Sequence, residues 1–237
     1  LKFEPETMDV ISFNSSPMKC IILAPGEGVR MKPLTDNIPK PMLKISGKTI
    51  LEHVLNYLPD KINRVFLVVG YLHQQIHDYF GHHYRGHKID YVFQNGKLGT
   101  YHALALCRDM INDDEKFIVT YADDLHGAKN FKKCSESENR AILVKEIDNP
   151  GRYGVVELNN DEIAVGIEEK PENPKSNLVS TGVLVLDKNI FKYPARQHAN
   201  GEFYLTDSIG QMIQSGYKFK AIRSNFWLPI GYPEDLK

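Results

Sequence analysis

The chain has 237 residues, 42% hydrophobic and 25% charged, which is ordinary globular composition and enough for one sizeable α/β domain or two small ones. Its formal net charge of −1 lacks the basic excess of a nucleic-acid or anionic-membrane binder, and no apolar run approaches the ~20 residues that span a bilayer. Cys20, Cys107 and Cys134 are odd in number and widely spaced, which fits neither a disulfide framework nor a zinc site. With no recognisable signal peptide, the expected location is the cytoplasm.

Residues 1–17 are irregular and read as an N-terminal extension, a tag remnant or an alternative start, outside the core fold. Met18-Lys19-Cys20 is a natural opening for a first strand. Apolar, β-rich runs then recur at 21–24, 65–69, 91–94, 117–121, 141–144 and 183–186. Most are near-continuous rather than alternating, which suits strands covered on both faces. Between the first two, 49–58 places Ile50, Leu51, Val54, Leu55 and Leu58 at helical spacing, and 71–80 and 100–111 fill the same role later. Strand alternating with helix predicts an α/β fold with a doubly wound, mostly parallel sheet whose ligands gather at the C-terminal strand ends.

The pattern changes after about residue 145. Runs 153–158 and 162–167, joined by Asn159-Asn160-Asp161, read as a hairpin. A polar stretch at 170–175 and another strand follow. This half reads as a small β-rich, substrate-side lobe laid on the same sheet, so that 18–237 is one domain divided at about 145/146. Pro233-Glu234-Asp235 looks like a helix start just before the last residue, leaving a missing or trimmed final helix open.

The most informative segment follows the first strand, where Gly26 and Gly28 flank Glu27, Arg30 comes two residues on, and Lys40 lies between Pro39 and Pro41. A glycine turn offers backbone N–H groups to an anion at close range, and Arg and Lys add the fixed positive charge that polyphosphate chemistry needs. From 26 to 44 there are four Lys/Arg against two acids, so the positive charge is local. Two phosphate motifs fail here. A dinucleotide fingerprint needs glycine where Met31 stands, and Ser46-Gly47-Lys48-Thr49, which imitates a P-loop tail, has Met42 where its first glycine belongs. Taken alone, Asp123-Asp124 reads as a solvated turn and Glu168-Glu169-Lys170 as a surface charge run. His73, His77, His82, His83 and His87 read as a solvated helix and loop, because no Cys or carboxylate completes a ligand set.

Together, Gly26-Glu27-Gly28-Val29-Arg30-Met31-Lys32-Pro33-Leu34-Thr35 and Pro39-Lys40-Pro41-Met42-Leu43 resemble the signature of the sugar-phosphate nucleotidylyltransferases, the nucleotide-sugar pyrophosphorylases. The likeness continues in order at Gln94-Asn95-Gly96-Lys97-Leu98-Gly99-Thr100, Ala122-Asp123, Tyr153-Gly154-Val155-Val156, Glu169-Lys170-Pro171, Thr181-Gly182, Glu202-Phe203-Tyr204-Leu205-Thr206-Asp207 and Ile230-Gly231-Tyr232-Pro233-Glu234-Asp235-Leu236.

The resemblance implies a Rossmann-like fold of the nucleotide-diphospho-sugar transferase type. It also implies transfer of a nucleotidyl group from a nucleoside triphosphate to a sugar 1-phosphate, with Mg²⁺ and release of pyrophosphate. By position, Arg30, Lys40 and Asp123 are catalytic, Asp123 being the metal ligand. Leu23, Ala24, Gly26, Gly28, Gln94, Gly99 and Thr100 match the nucleotide side, with Gln94 and Gly99 reading the base. Gly154, Glu169, Lys170, Ser180 and Thr181 match the sugar-phosphate side. Members supply nucleotide sugars for polysaccharide or glycolipid assembly, and they often assemble, which leaves a homo-oligomer open.

Three positions depart from the pattern. Pro229 stands where members carry the second metal ligand, Pro25 where they have Ala or Gly, and Val29 where they have Thr. Two alternatives therefore accompany the enzyme reading: a catalytically impaired homologue that binds a nucleotide or nucleotide sugar as a sensor or subunit, and a cytidylyltransferase acting on phosphocholine or another non-sugar phosphate.

Overall fold

The computed structural model describes residues 17–236, so the expected extension lies, apart from exposed Pro17, outside the described residues. In the first half β1 (Met18–Ala24), α1 (Ile50–Tyr57), β2 (Ile62–Val69), α2 (His73–Phe80), β3 (His87–Phe93), α3 (Gly99–Ala105) and β4 (Lys116–Tyr121) alternate. Then come α4 (Ala128–Ser135), β5 (Arg140–Glu146), β6 (Gly154–Leu158), β7 (Ala164–Glu169), β8 (Leu178–Asp187), α5 (Leu205–Gln214) and β9 (Phe219–Arg223).

These nine strands and the short strand His83–Tyr84 form one ten-stranded sheet. Its main path runs β7-β6-β8-β4-β1-β2-β3, ending on His83–Tyr84, while β5 joins the other edge of β8 and β9 joins β5. The block β4-β1-β2-β3 is parallel, and β8 turns the sheet antiparallel. Register aligns the C-terminal ends: Ala24 faces Val69, Val69 faces Phe93, and Leu23 faces Tyr121. Everything that leaves those ends emerges along one edge of the sheet.

The continuous apolar runs follow from a sheet with two covered faces. Along β1, Cys20, Ile22 and Ala24 enter the core under α1, α2 and α4, while Ile21 and Leu23 enter the core under α3 and α5. Helix α1 forms because Ile50, Leu51, Val54 and Leu55 share a face that is fully buried, each side chain contributing roughly 1.5–3 kcal/mol on transfer from water. Its start is fixed by a capping box: the Thr49 hydroxyl accepts from Glu52 N–H at 3.1 Å, and the Glu52 carboxylate accepts from Thr49 N–H at 2.6 Å. The segment that imitates a P-loop tail is instead the turn of a tiny hairpin, Lys44–Ile45 with Lys48–Thr49.

Several expectations need adjusting. The helix expected over 100–111 stops at Ala105 and yields to a 3₁₀ turn, Arg108–Met110. The shift to three-residue bonds, with Cys107 N–H reaching Leu104 O at 2.9 Å, tightens the end and buries Cys107 completely. The second arm of the hairpin starts two residues late and runs to Glu169, because the Asn159 side chain accepts from the N–H groups of Asp161 and Ile163 and enlarges the turn. The pairing sets Gly154 opposite Glu169. The histidine segment is only partly solvated: the rings of His77 and His82 pack on Tyr91, and His87 is buried with Nδ1 on the Ile62 carbonyl. Among the described residues no helix is long and apolar enough to cross a membrane.

Candidate active site

The C-terminal strand ends open into a cleft of about 360 Å³. Leu23, Ala24, Gly26, Gly28, Arg30, Lys40, Gln94, Gly99, Thr100 and Asp123 all line it, so every residue expected on the nucleotide side or in catalysis meets in one cavity. Tyr121, Glu202, Tyr204 and Gly231 complete the wall, joined by Glu27 and Lys97, whose side chains pair at 2.8 Å across it.

Local backbone geometry places the charges. Gly28 sits at φ 63°, and a Cβ there would lie 3.0 Å from Lys40 Cβ and 3.1 Å from the Thr35 methyl. Glycine therefore both allows the left-handed turn and lets Lys40 pass beneath the loop. The Thr35 hydroxyl donates to Gly28 O at 2.9 Å and pins the turn. Around Gly26 no atom beyond its chain neighbours lies within 4 Å of a built Cβ, so the space on that side is open. Pro25 is accommodated with its carbonyl accepting from Tyr71 N–H.

Lys40, only 8% exposed, donates from Nζ to Asp123 Oδ2 at 2.7 Å, and Asp123 keeps a partly open carboxylate beside it. A cation and an anion in contact in the cleft hold each other in place. Asp124 turns away: burial and the neighbouring Asp123 push its carboxyl well above the usual range, against the opposing pull of Lys40. Arg30 lies with its guanidinium 5.4 Å from the centroid of the Tyr232 ring. The turn carrying Tyr232 is tied by Asp235, whose carboxylate accepts from the N–H groups of Gly231 and Tyr232 at 2.8 Å each.

The five residues expected on the sugar-phosphate side, Gly154, Glu169, Lys170, Ser180 and Thr181, all stand outside the set that lines the cleft. Glu169 accepts from the Thr206 hydroxyl at 2.9 Å, and Lys170 Nζ sits 4.8 Å above the ring of Tyr204, a cleft residue. Gly154 packs on the Thr206 methyl, where a Cβ would stand at 2.9 Å. Ser180 and Thr181 do not reach the cleft wall. Thr181 is 1% exposed, its hydroxyl donates to Leu143 O at 3.1 Å and its carbonyl accepts from His126 Nε2 at 2.8 Å, so its side chain braces the sheet.

The two halves meet in a backbone seam. Phe203 N–H donates to Leu98 O at 3.0 Å, Tyr101 N–H to Phe203 O at 2.9 Å, and Leu205 N–H to the Thr100 hydroxyl at 2.9 Å. Gly99, at φ 84°, is required there because a Cβ would lie 2.5 Å from Phe203 O.

The family model described as nucleotidyl transferase matches residues 19–237. The chain belongs to the nucleotidyl transferase family. Relatives in this family include the bifunctional protein GlmU of Methanocaldococcus jannaschii, 37% identical over 225 residues that cover 92% of this chain and 52% of that protein. The UTP–glucose-1-phosphate uridylyltransferase AglF of Haloferax volcanii is 36% identical over 228 residues, 92% of this chain and 93% of that one. Against GlmU proteins, the chain thus spans about half the length of the relatives it matches. Among solved structures, a candidate glucose-1-phosphate thymidylyltransferase from Bacillus anthracis in complex with a sucrose superimposes with TM-score 0.83 at 27% identity, covering 92% of each chain. The doubly wound sheet with its strand-end cleft is thus a nucleotidyl transferase fold.

Sequence reasoning missed Tyr121, which simply ends a strand, and left Glu202, Tyr204 and Gly231 without roles although each stood in a quoted block. It missed His102 entirely, whose Nδ1 lies 2.9 Å from Gln94 Nε2, a contact across the loop between β3 and α3. As for a metal, Asp123 is the open carboxylate, and Pro229 offers no side-chain oxygen. Among the described residues no three His, Cys, Asp or Glu are grouped to hold an ion. That donor set fits a hard cation that takes one carboxylate oxygen and completes its shell with phosphate oxygens and water, the habit of Mg²⁺.

Proposed function

We propose that the chain transfers a nucleotidyl group from a nucleoside triphosphate to a sugar 1-phosphate. The reading is supported above all by the convergence of Arg30, Lys40 and Asp123 with the Gly26–Gly28 turn on one cleft. A sugar phosphate oxygen attacks the α-phosphorus, the bond from that phosphorus to the bridging oxygen breaks, and pyrophosphate leaves. Lys40 holds the α-phosphate and the charge that grows on it. Arg30 receives the departing pyrophosphate. Gly26 and Gly28 present backbone N–H groups to the triphosphate, and Leu23, Ala24 and Thr100 wall the nucleoside. Asp123 would hold Mg²⁺, which offsets charge on the phosphate oxygens when bound. Glu169 and Gly154 contact sugar hydroxyls, Lys170 the sugar phosphate, and the Ser180–Thr181 segment backs that side. Residues to about 145 thus serve the nucleotide and later ones the sugar phosphate. The product would feed polysaccharide or glycolipid assembly in the cytoplasm.

A second reading has one observation in its favour. Pro229 leaves Asp123 without the usual partner, as in a homologue that binds a nucleotide or nucleotide sugar without turning it over. Pyrophosphate release from a panel of nucleoside triphosphates and sugar 1-phosphates with Mg²⁺ separates the two. Turnover with any pair establishes the enzyme. Thermal stabilisation by nucleotides with no turnover establishes the binder.

A further inference from the structure

Gln94 directly follows β3, lines the cleft and is 2% exposed, so the orientation of its amide is held by the protein. Its Nε2 lies 3.2 Å from the Gly99 carbonyl oxygen and 2.9 Å from His102 Nδ1. A peptide carbonyl only accepts, so the atom facing Gly99 has to be the amide nitrogen. The same NH₂ group reaches His102, whose Nδ1 must then be the bare ring nitrogen, with the proton on Nε2. Both amide hydrogens are thus engaged by α3, and Oε1 is the polar atom that this cleft-lining side chain has left to offer a ligand.

Beside it Gly99 opens α3, and its N–H is among the first-turn donors that have no acceptor within the helix. Gly99 also lines the cleft. The wall therefore offers an acceptor next to a donor. Its complement is a ring N–H next to a carbonyl, found on the N3–H/C4=O edge of uracil and thymine and the N1–H/C6=O edge of guanine. Cytosine and adenine carry the reverse pair, a bare ring nitrogen next to an amino group, and meet the wall donor to donor and acceptor to acceptor.

We propose that His102 is the positioning residue for base choice: it locks the Gln94 amide carbonyl-outward and restricts the nucleotide to keto bases, against cytosine and adenine. The proposal rests on the cleft being the nucleotide site, but not on turnover. Without the His102 acceptor the amide loses one of its two anchors and can rotate, presenting NH₂ to the cleft.

The test is equilibrium binding of UTP and CTP, which are similar in size, by titration calorimetry with Mg²⁺ and no sugar phosphate. GTP and ATP serve as a second pair. The wild-type protein should bind UTP about 10- to 100-fold more tightly than CTP, the usual cost of opposed or unpaired polar groups in a buried site. His102→Phe should bring the two affinities within about threefold by weakening UTP and admitting CTP. His102→Asn, whose side-chain oxygen can accept in place of Nδ1, should restore most of the preference. Equal affinities in the wild type, an unchanged ratio in His102→Phe, or binding of neither nucleotide would overturn the proposal. Absence of pyrophosphate release with a retained UTP preference would defeat the enzyme reading and leave this one standing. Should His102→Phe not fold, the wild-type ratio and His102→Asn still decide.

Discussion

Asp124 and Pro229 stand directly opposite one another in a two-residue antiparallel ladder, Asp124–Leu125 with Leu228–Pro229. The ladder brings the C-terminal segment beside Asp123, whose backbone carbonyl accepts from Ile230 N–H at 3.2 Å. A carboxylate at 229 would therefore face one acid and adjoin a second. In chelator, Pro229→Asp should melt about 2–4 °C below the wild type, since the added carboxylate would adjoin Asp123 with no cation to offset it, at a cost of about 1 kcal/mol. With Mg²⁺ it should recover that loss, need less metal for half-maximal rate and turn over faster. Scanning melts and metal titrations check this; identical melting with and without chelator would mean that position 229 does not approach the ion.

Lys40 and Asp123 are in contact at 2.7 Å in the cleft. Lys40→Ala should reduce turnover by about 10²–10³-fold, the cost of removing one charge-stabilising donor from a transition state. The melting point should move little, because the Asp123 carboxylate it abandons is 38% exposed and can rehydrate. Steady-state kinetics beside a thermal melt test both halves, and wild-type turnover would remove Lys40 from the site.

Tyr232 supports Arg30 through its ring face rather than its hydroxyl. Tyr232→Leu should lower kcat about threefold to tenfold, with a smaller change in KM for the triphosphate, since an exposed cation–π contact is worth about 0.5–1 kcal/mol and loss of position adds to it. Tyr232→Phe should keep the wild-type rate. Equal losses in both variants would point to the hydroxyl.

His126 is fully buried, and burial lowers its pKa from the usual 6.5 to about 4. The fold thus favours the neutral ring, whose Nε2 donates to Thr181 O at 2.8 Å. Its contribution is complete above about pH 6.5 and is lost as pH falls towards 4, at about 1.4 kcal/mol per pH unit. Urea melts from pH 7 to 4.5 should show this decline, and His126→Gln, less stable at pH 7, should show a flatter one. Parallel profiles would assign the acid sensitivity elsewhere.

The legible parts of the molecule were those written locally. The parallel half could be read because β1 to β4 carry unbroken apolar runs, and the cleft set because Gly26, Arg30, Lys40, Gln94 and Asp123 each sit one to sixteen residues past a strand end. Helix α4 was not legible, because it starts at Gly127 with no side-chain cap and buries Asn130 and Ser135 along with Phe131 and Cys134. Asn130 pays its way there by donating to His126 O and Phe226 O, partners that no spacing announces. Thr181 stands in a family block, yet its hydroxyl is taken up by Leu143. Such roles depend on which strands become neighbours, and periodicity does not encode that.

The seam between Gly99 and Phe203 bears on how this chain can diversify. Turn 159–161 is exposed and could lengthen by several residues without consequence for the site. Around the seam, one inserted residue on either side would slip the Leu98–Phe203–Tyr101 bonds out of step and drive a side chain into the Phe203 backbone. The loops at 98–101 and 203–205 are thereby locked in step, so variation there can come by exchanging side chains but not by adding chain.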